Sequence, residues 1–223
     1  MKTWPTVTIQ QWLQQTFGND LTPKVFLELG AHCGDDTAWF LMHIPSVMIH
    51  AFEPDPRNAP HFYANDHHVI DRNRAVLHEV AVSNKCGTAP FVLSETYHKE
   101  EWTYSSSLLK PKNHRHRFPG VKFGQTVFVR TVTMDSACEN IPQVDFIWCD
   151  IQGAEGDMVR GAQSVLKRTR YLYTEYSDHE MYEGQPKLAD LMTLLGSHWK
   201  ILAQWPDDIL FENTQFHSKE KAA

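Results

Sequence analysis

Val25-Phe-Leu-Glu-Leu-Gly-Ala-His-Cys-Gly-Asp-Asp-Thr-Ala-Trp-Phe40 is the stretch on which the reading of this 223-residue chain turns. It begins as a short apolar strand, passes a tight turn carrying Gly30 and Gly34, and continues as a helix from about Asp35. A strand-turn-helix of this kind opens an α/β nucleotide-binding domain. Glycine spacing separates its versions. A dinucleotide loop reads G-x-G-x-x-G and sets a pyrophosphate on the helix N-terminus. Here the order is acidic-x-G-x-x-x-G, with Glu28 on the strand just before the turn. A carboxylate there repels phosphate and suits a ligand with an ammonium group, such as S-adenosylmethionine, which has no phosphate. Two glycines in a βα turn also occur without any such ligand.

Outward from this stretch, residues 47–52 read as the second strand and end in Glu53-Pro54-Asp55-Pro56. An acidic residue about 20 positions beyond a glycine turn, closing the next strand, is placed to accept hydrogen bonds from two ribose hydroxyls. One ionised carboxylate can take both, because it only accepts. A surface glutamate beside the helix expected over 57–65 is the alternative for Glu53 alone. Taken with Glu28 and the glycines, the cofactor reading prevails. Further strands are expected at 77–83, 88–93 (an antiparallel setting being open), 126–132, 144–149 and 171–176. Helices are expected over 8–17 with Thr8 as N-cap, 35–43, within 151–161 and on through Leu166, and 188–195. Residues 199–205 and 209–212 form a closing hairpin around Pro206-Asp207-Asp208.

Strands alternating with helices predict one domain over 1–223, with a mostly parallel sheet and helices on both faces. The closing hairpin makes one late strand antiparallel. Residues 1–22 form an N-terminal helical extension, set on the domain or over its cleft. Residues 95–125 lose the pattern and are expected as a loop insertion near the substrate site. Their basic run, Lys110-Pro-Lys-Asn-His-Arg-His-Arg117, could grip an anionic acceptor or be a solvated loop.

A net charge of −6 argues against nucleic acid or an anionic membrane as the main partner. No apolar run approaches the roughly 20 residues that span a bilayer. The start, Met-Lys-Thr-Trp-Pro-Thr, has no signal-peptide core, and Cys33, Cys86, Cys138 and Cys149 show no C-x-x-C spacing. A cytoplasmic protein with reduced thiols is expected.

The ordered series of motifs resembles the FkbM-type family of class I S-adenosylmethionine-dependent methyltransferases. It comprises residues 28–37, 51–56, Asn65, 80–83, 106–108, 132–135, 144–155 and 160–162. The resemblance implies a Rossmann-like seven-stranded sheet, S-adenosylmethionine as cofactor and S-adenosylhomocysteine as product. It further implies O-methylation of a small molecule or saccharide. Two positions depart from the family pattern. His32 replaces the usual Asn of the glycine loop, and Gln152 stands in Asp150-Ile-Gln-Gly153 where the family has Asp-x-Glu-Gly. The second departure removes a carboxylate, so a divalent metal has no support. Cofactor-binding candidates are Glu28, Gly30, His32, Gly34, Asp35, Thr37, Glu53, Pro54 and Ala81. Catalytic candidates are Asp150, Glu175 and His179, at or just beyond strand ends where a base can meet an acceptor hydroxyl. Asp150 also suits a helix N-cap, and one histidine among 13 is often structural. N-methylation, a macromolecular acceptor and a non-catalytic binding module remain open. The oligomeric state is not legible.

Overall fold

The computed structural model describes residues 7–64, 66–96 and 102–216. Asn65, the start at 1–6 and the polar tail from 218 lie outside the described residues.

Helix α1 (Ile9–Phe17) begins at a capping box. Thr8 Oγ1 accepts from Gln11 N at 3.2 Å, and Gln11 Oε1 accepts from Thr8 N at 2.9 Å. Ile9, Leu13 and Phe17 recur every fourth residue and are buried. Phe17 meets Phe26 and Trp12 meets Tyr171, at ring separations of 5.2 and 4.9 Å. The helix therefore packs on the sheet face rather than over a ligand. Replacing Thr8 by Ala is expected to cost about 1 kcal/mol, read as a lowered midpoint in thermal unfolding.

Strand β1 (Lys24–Leu29), helix α2 (Asp35–His43) and strand β2 (Val47–Phe52) follow as the spacing predicts. Where a helix over 57–65 is expected, only a 3-10 turn forms at Ala59–His61. Pro60 supplies no N–H there. Arg57 is tied instead to Asp55 at 2.7 Å. The single strand expected over 77–83 is two, β3 (Ala75–His78) and β4 (Ala81–Val82). The chain kinks where Val80 N donates to His78 O.

Strand β5 (Gly87–Thr96), helix α3 (His114–Arg117) and strand β6 (Val121–Val132) complete the middle of the chain. β5 and β6 pair antiparallel over longer spans than the sequence marks, so the irregular segment 95–125 begins and ends in strand. Val129 and Thr131 face inward while Phe128 and Arg130 face out, as the alternation predicts. Helix α4 (Met134–Ala137) leads to β7 (Val144–Cys149), then α5 (Glu155–Arg160) and α6 (Gln163–Leu166). The helix expected to run on unbroken through Leu166 is broken at Gly161, which passes so near Ser83 that a Cβ would lie 2.2 Å from its carbonyl oxygen. β8 (Thr169–Glu175), α7 (Leu188–Leu195), β9 (Trp199–Gln204) and β10 (Asp208–Asn213) end the fold.

The main sheet has the order β3-β2-β1-β7-β8-β10-β9, and a smaller sheet has the order β4-β6-β5. In the main sheet β10 alone runs antiparallel to its neighbours. This is the expected Rossmann-like seven-stranded sheet. Its faces alternate residue by residue: Leu27, Leu29 and Ile147 pack toward α5, α6 and α7, while Phe26 and Phe146 pack toward α1 and α2. With both faces covered, the central strands read as near-continuous apolar runs. Among the described residues no helix is long and apolar enough to cross a membrane. β1 and β7 lie side by side while the chain runs outward from them in opposite directions. A crevice opens beyond their carboxyl ends at such a switch point.

Candidate active site

Register places the chemistry. Leu29 aligns with Phe52 and with Cys149, Cys149 with Thr174, and Glu175 with Asp208. Gly30, Glu53, Asp150, Glu175 and Asp208 therefore share one edge. Gly30 has φ +85°, and a Cβ on it would lie 1.8 Å from the Asp150 carbonyl oxygen. Only glycine lets the ends of β1 and β7 come so close.

The crevice is a cleft of about 610 Å³, its open mouth included. Of the sequence candidates, Gly30, His32, Glu53, Pro54, Ala81 and Asp150 line it. Val80, Val82, Phe91 and Leu108 give it apolar walls, and Thr103, Tyr104 and Ser106 cover it. Among the described residues, no lysine or arginine lines it.

Glu53 is 5% exposed. Its Oε2 accepts from His32 N at 2.8 Å, and its Oε1 accepts from Asp55 N at 2.8 Å and Asn58 Nδ2 at 3.2 Å. Burial pushes its pKa up to about 7 against the pull of those donors. His32 adopts φ +50°, a left-handed conformation in which Asn, Asp and His are enriched. Its Nε2 lies 2.6 Å from Thr103 Oγ1, and its ring stacks on Tyr104 at 4.0 Å. Burial lowers the pKa of the imidazole and favours the neutral ring.

Glu28, Gly34, Asp35 and Thr37 do not line the cleft. Glu28 is 1% exposed and accepts a hydrogen bond from the Thr37 hydroxyl. Burial first, then Asp36, raises its pKa well above the carboxylate range. Its side chain thus turns to Thr37 in the interior rather than into the cleft. Gly34 packs against Phe62 and Ile70, and Asp35 faces His68 Nδ1 at 3.2 Å.

Between Asp150 and Glu175 sits Gln152. Its Nε2 donates to Asp150 Oδ1 at 2.6 Å and to Glu175 Oε2 at 3.3 Å, while its Oε1 accepts from the Tyr182 hydroxyl at 3.0 Å. Its backbone is also left-handed, at φ +53°. Burial, with Asp36 and Asp208, raises the Asp150 pKa. Glu175 keeps part of its side chain in solvent, yet the protein packed around it, then Asp150 and Glu155, push it upward too. The pair thus titrates nearer neutrality than ordinary carboxylates.

Glu155 is 3% exposed and accepts from Gly153 N at 3.1 Å. Burial raises its pKa to about 7. A folded-state pKa above the unfolded value means stability present at low pH and lost as pH rises through 7. Glu155→Gln should therefore raise the unfolding temperature relative to the unmodified protein near pH 9 and change it little near pH 5. A tenfold difference in proton affinity between the folded and unfolded chains corresponds to about 1.4 kcal/mol. Thermal unfolding at the two pH values checks this.

Glu175 opens on a second cleft, and His179 on an outer groove with His116 and Lys187. The structure does not bring His179 to the carboxylates. Sequence reasoning missed the cover residues Thr103 and Tyr104, and also Tyr182, which no periodic pattern announces. The run Ser105-Ser-Ser107 was their one signal. Ser94, Ser105 and Ser106 bond one another and Asp55 to hold that cover in place. Among the described residues no group of three or more His, Cys, Asp or Glu is arranged to hold a metal ion.

The Methyltransferase FkbM domain matches residues 28–202. This chain belongs to the FkbM methyltransferase family. It is an enzyme of the methyltransferase class on that ground, and its fold agrees. It is 38% identical over 198 residues, 86% of this chain and 80% of the other, to the 2-O-methyltransferase NoeI of Sinorhizobium fredii (strain NBRC 101917 / NGR234). Among solved structures, precorrin-6y C5,15-methyltransferase from Geobacter metallireducens is 10% identical with a TM-score of 0.45, covering 95% of this chain and 90% of that one. The human methyltransferase 10 domain containing protein is 11% identical with a TM-score of 0.41, covering 95% and 84%. Methyltransferases of this kind take their methyl group from S-adenosylmethionine.

Proposed function

We propose that this FkbM methyltransferase transfers a methyl group to a hydroxyl of a small molecule or saccharide, with S-adenosylmethionine bound in the cleft at the switch point. The observation that carries the reading is that Glu53 and Asp150 open on that same cleft. The identity to a protein named as a 2-O-methyltransferase points the acceptor atom to oxygen.

The residues present fit the donor. Glu53 supplies an anchored acceptor for a ribose hydroxyl, with a lone pair to spare on Oε2. Val80, Ala81, Phe91 and Leu108 offer apolar surface to a purine. The lack of lysine or arginine in the described lining suits a ligand without phosphate, and the turn lacks the G-x-G-x-x-G spacing of a dinucleotide loop. When bound, S-adenosylmethionine supplies a sulfonium methyl whose C–S bond breaks as the new C–O bond forms, leaving S-adenosylhomocysteine.

The chain has two tasks beside that chemistry. One is alignment: holding acceptor and donor in line removes much of the entropic barrier. The other is the hydroxyl proton. Asp150, paired through Gln152 with Glu175, is the acceptor for it, and raised pKa values make the pair a better base near neutral pH than an ordinary carboxylate.

Incubation with methyl-labelled S-adenosylmethionine and a mixture of glycosides and polyols tests the reading. The expected product holds its label through mild base, as an ether does and an ester does not. Label recovered on nitrogen, or no transfer by a protein that binds the donor, overturns it in favour of an N-methyltransferase or a binding module.

A further inference from the structure

The second cleft lies under a strap made by residues 110–118 and 176–185. Lys112 N donates to Met181 O and Glu183 N to Lys110 O, both at 2.8 Å, so the two strands of the strap are tied together. The space beneath is about 530 Å³ and is lined by His114, Arg117, Phe118, Glu175, Tyr182 and Asp207, among others. Gln152 lines this cleft and the first one. The two clefts meet at it, with Asp150 lining the first and Glu175 the second.

We propose that the second cleft is the acceptor subsite, and that it takes an uncharged polyhydroxylated ring with no carboxylate or phosphate near the reacting hydroxyl. This rests on the methyl-transfer reading above and names the substrate class for it.

Three observations carry the inference. Position is the first: the two clefts meet at the Gln152 amide, which touches both carboxylates, so a ring held in the second cleft presents its edge to the donor cleft and to Asp150. Lining is the second. Phe118, His114 and Tyr182 present ring surface for C–H faces, while Glu175 and Asp207 present acceptors for hydroxyls. The third is charge. Of the basic run, only His114 and Arg117 line the cleft. Arg117 donates to both carboxylate oxygens of Asp207 at 2.8 Å, and Lys112 pairs with Glu180 at 2.5 Å. His114 is 2% exposed with an unpartnered Nδ1, and burial lowers its pKa to about 4, so it adds no cation. Against the one paired arginine, the wall holds three carboxyls, Glu155, Glu175 and Asp207. An anion entering here would lose hydration and gain no free positive partner.

Saturation-transfer NMR on the protein loaded with S-adenosylhomocysteine tests the proposal with two probes, methyl glucoside and glucuronate. The expected result is a signal for the glucoside and at least a tenfold weaker one for glucuronate. Ser177, which also lines the cleft, gives a site-filling variant: Ser177→Trp should abolish the glucoside signal while S-adenosylhomocysteine still binds. Asp207→Asn, at a side chain 52% exposed, releases Arg117 and should strengthen the glucuronate signal at least threefold. Equal or stronger glucuronate binding by the unmodified protein overturns the proposal. So do silence from both probes, a glucoside signal that survives Ser177→Trp, and an unchanged glucuronate signal in Asp207→Asn. Failure of the unmodified protein to bind S-adenosylhomocysteine overturns the methyl-transfer reading instead, which keeps the two failures apart.

Discussion

Replacing Asp150 by Asn is expected to lower turnover by roughly 10²–10⁴-fold, the range typical for loss of a positioned base. The amide keeps the shape of the carboxylate and an oxygen for Gln152 Nε2, which now lies 2.6 Å from Oδ1. What it loses is the capacity to take a proton. Acceptor KM should change far less than kcat. The pH profile gives a second reading. The unmodified enzyme needs its base ionised, so activity should rise with pH through a midpoint above the ordinary carboxylate range, since burial and neighbouring acids raise both members of the pair. In Asp150→Asn that limb should change its midpoint, because Glu175 then titrates without its partner. Steady-state kinetics from acid to mildly alkaline pH checks both. An Asn variant with full turnover and an unchanged profile would remove Asp150 from the chemistry.

Glu53→Ala is expected to weaken S-adenosylmethionine binding by about 10- to 100-fold. A hydrogen bond to a charged group contributes about 1.5–3 kcal/mol, and the variant forfeits the one that Oε2 has room to accept from the ribose. Part of the loss would be indirect, because Glu53 also organises His32, Asp55 and Asn58 through its two oxygens. Glu53→Gln separates the contributions. Glutamine keeps one acceptor oxygen and the side-chain volume, and should lose less affinity than alanine. Calorimetric titration of both variants measures this. Equal affinity in all three proteins would mean that the carboxylate at the end of β2 does not touch the ligand.

Strand ends were the legible part of the site. Gly30, Glu53 and Asp150 each follow an apolar run directly, and parallel register brings consecutive strand ends to one edge, so their meeting was readable from spacing. Glu28 shows the limit of the same logic. It sits one pleat earlier than the edge, and its side chain turns to Thr37 in the interior rather than into the cleft. The helix expected over 57–65 failed on Pro60 and on the pull of Asp55 on Arg57. The cover and the strap were beyond reach for another reason. Residues 102–107 are held by long-range bonds, with Val92 N donating to Ser107 O at 2.8 Å and Ser107 Oγ donating to Gln152 O at 2.7 Å. No local periodicity encodes such docking. The basic run shows this most plainly: Lys112 and Arg117 meet partners about 70 and 90 positions away in sequence. Read locally it is an anion grip or a solvated loop; in the fold two of its cations, Lys112 and Arg117, are closed into ion pairs.

The cleft between β1, β2 and β7 is proposed to hold a sulfonium nucleoside and no dinucleotide. Calorimetric titration of the unmodified protein with S-adenosylmethionine, S-adenosylhomocysteine and NAD tests this most directly. Saturable binding of the first two, with no heat from NAD, is the predicted result. Binding of NAD by a folded protein that ignores S-adenosylmethionine would contradict the account.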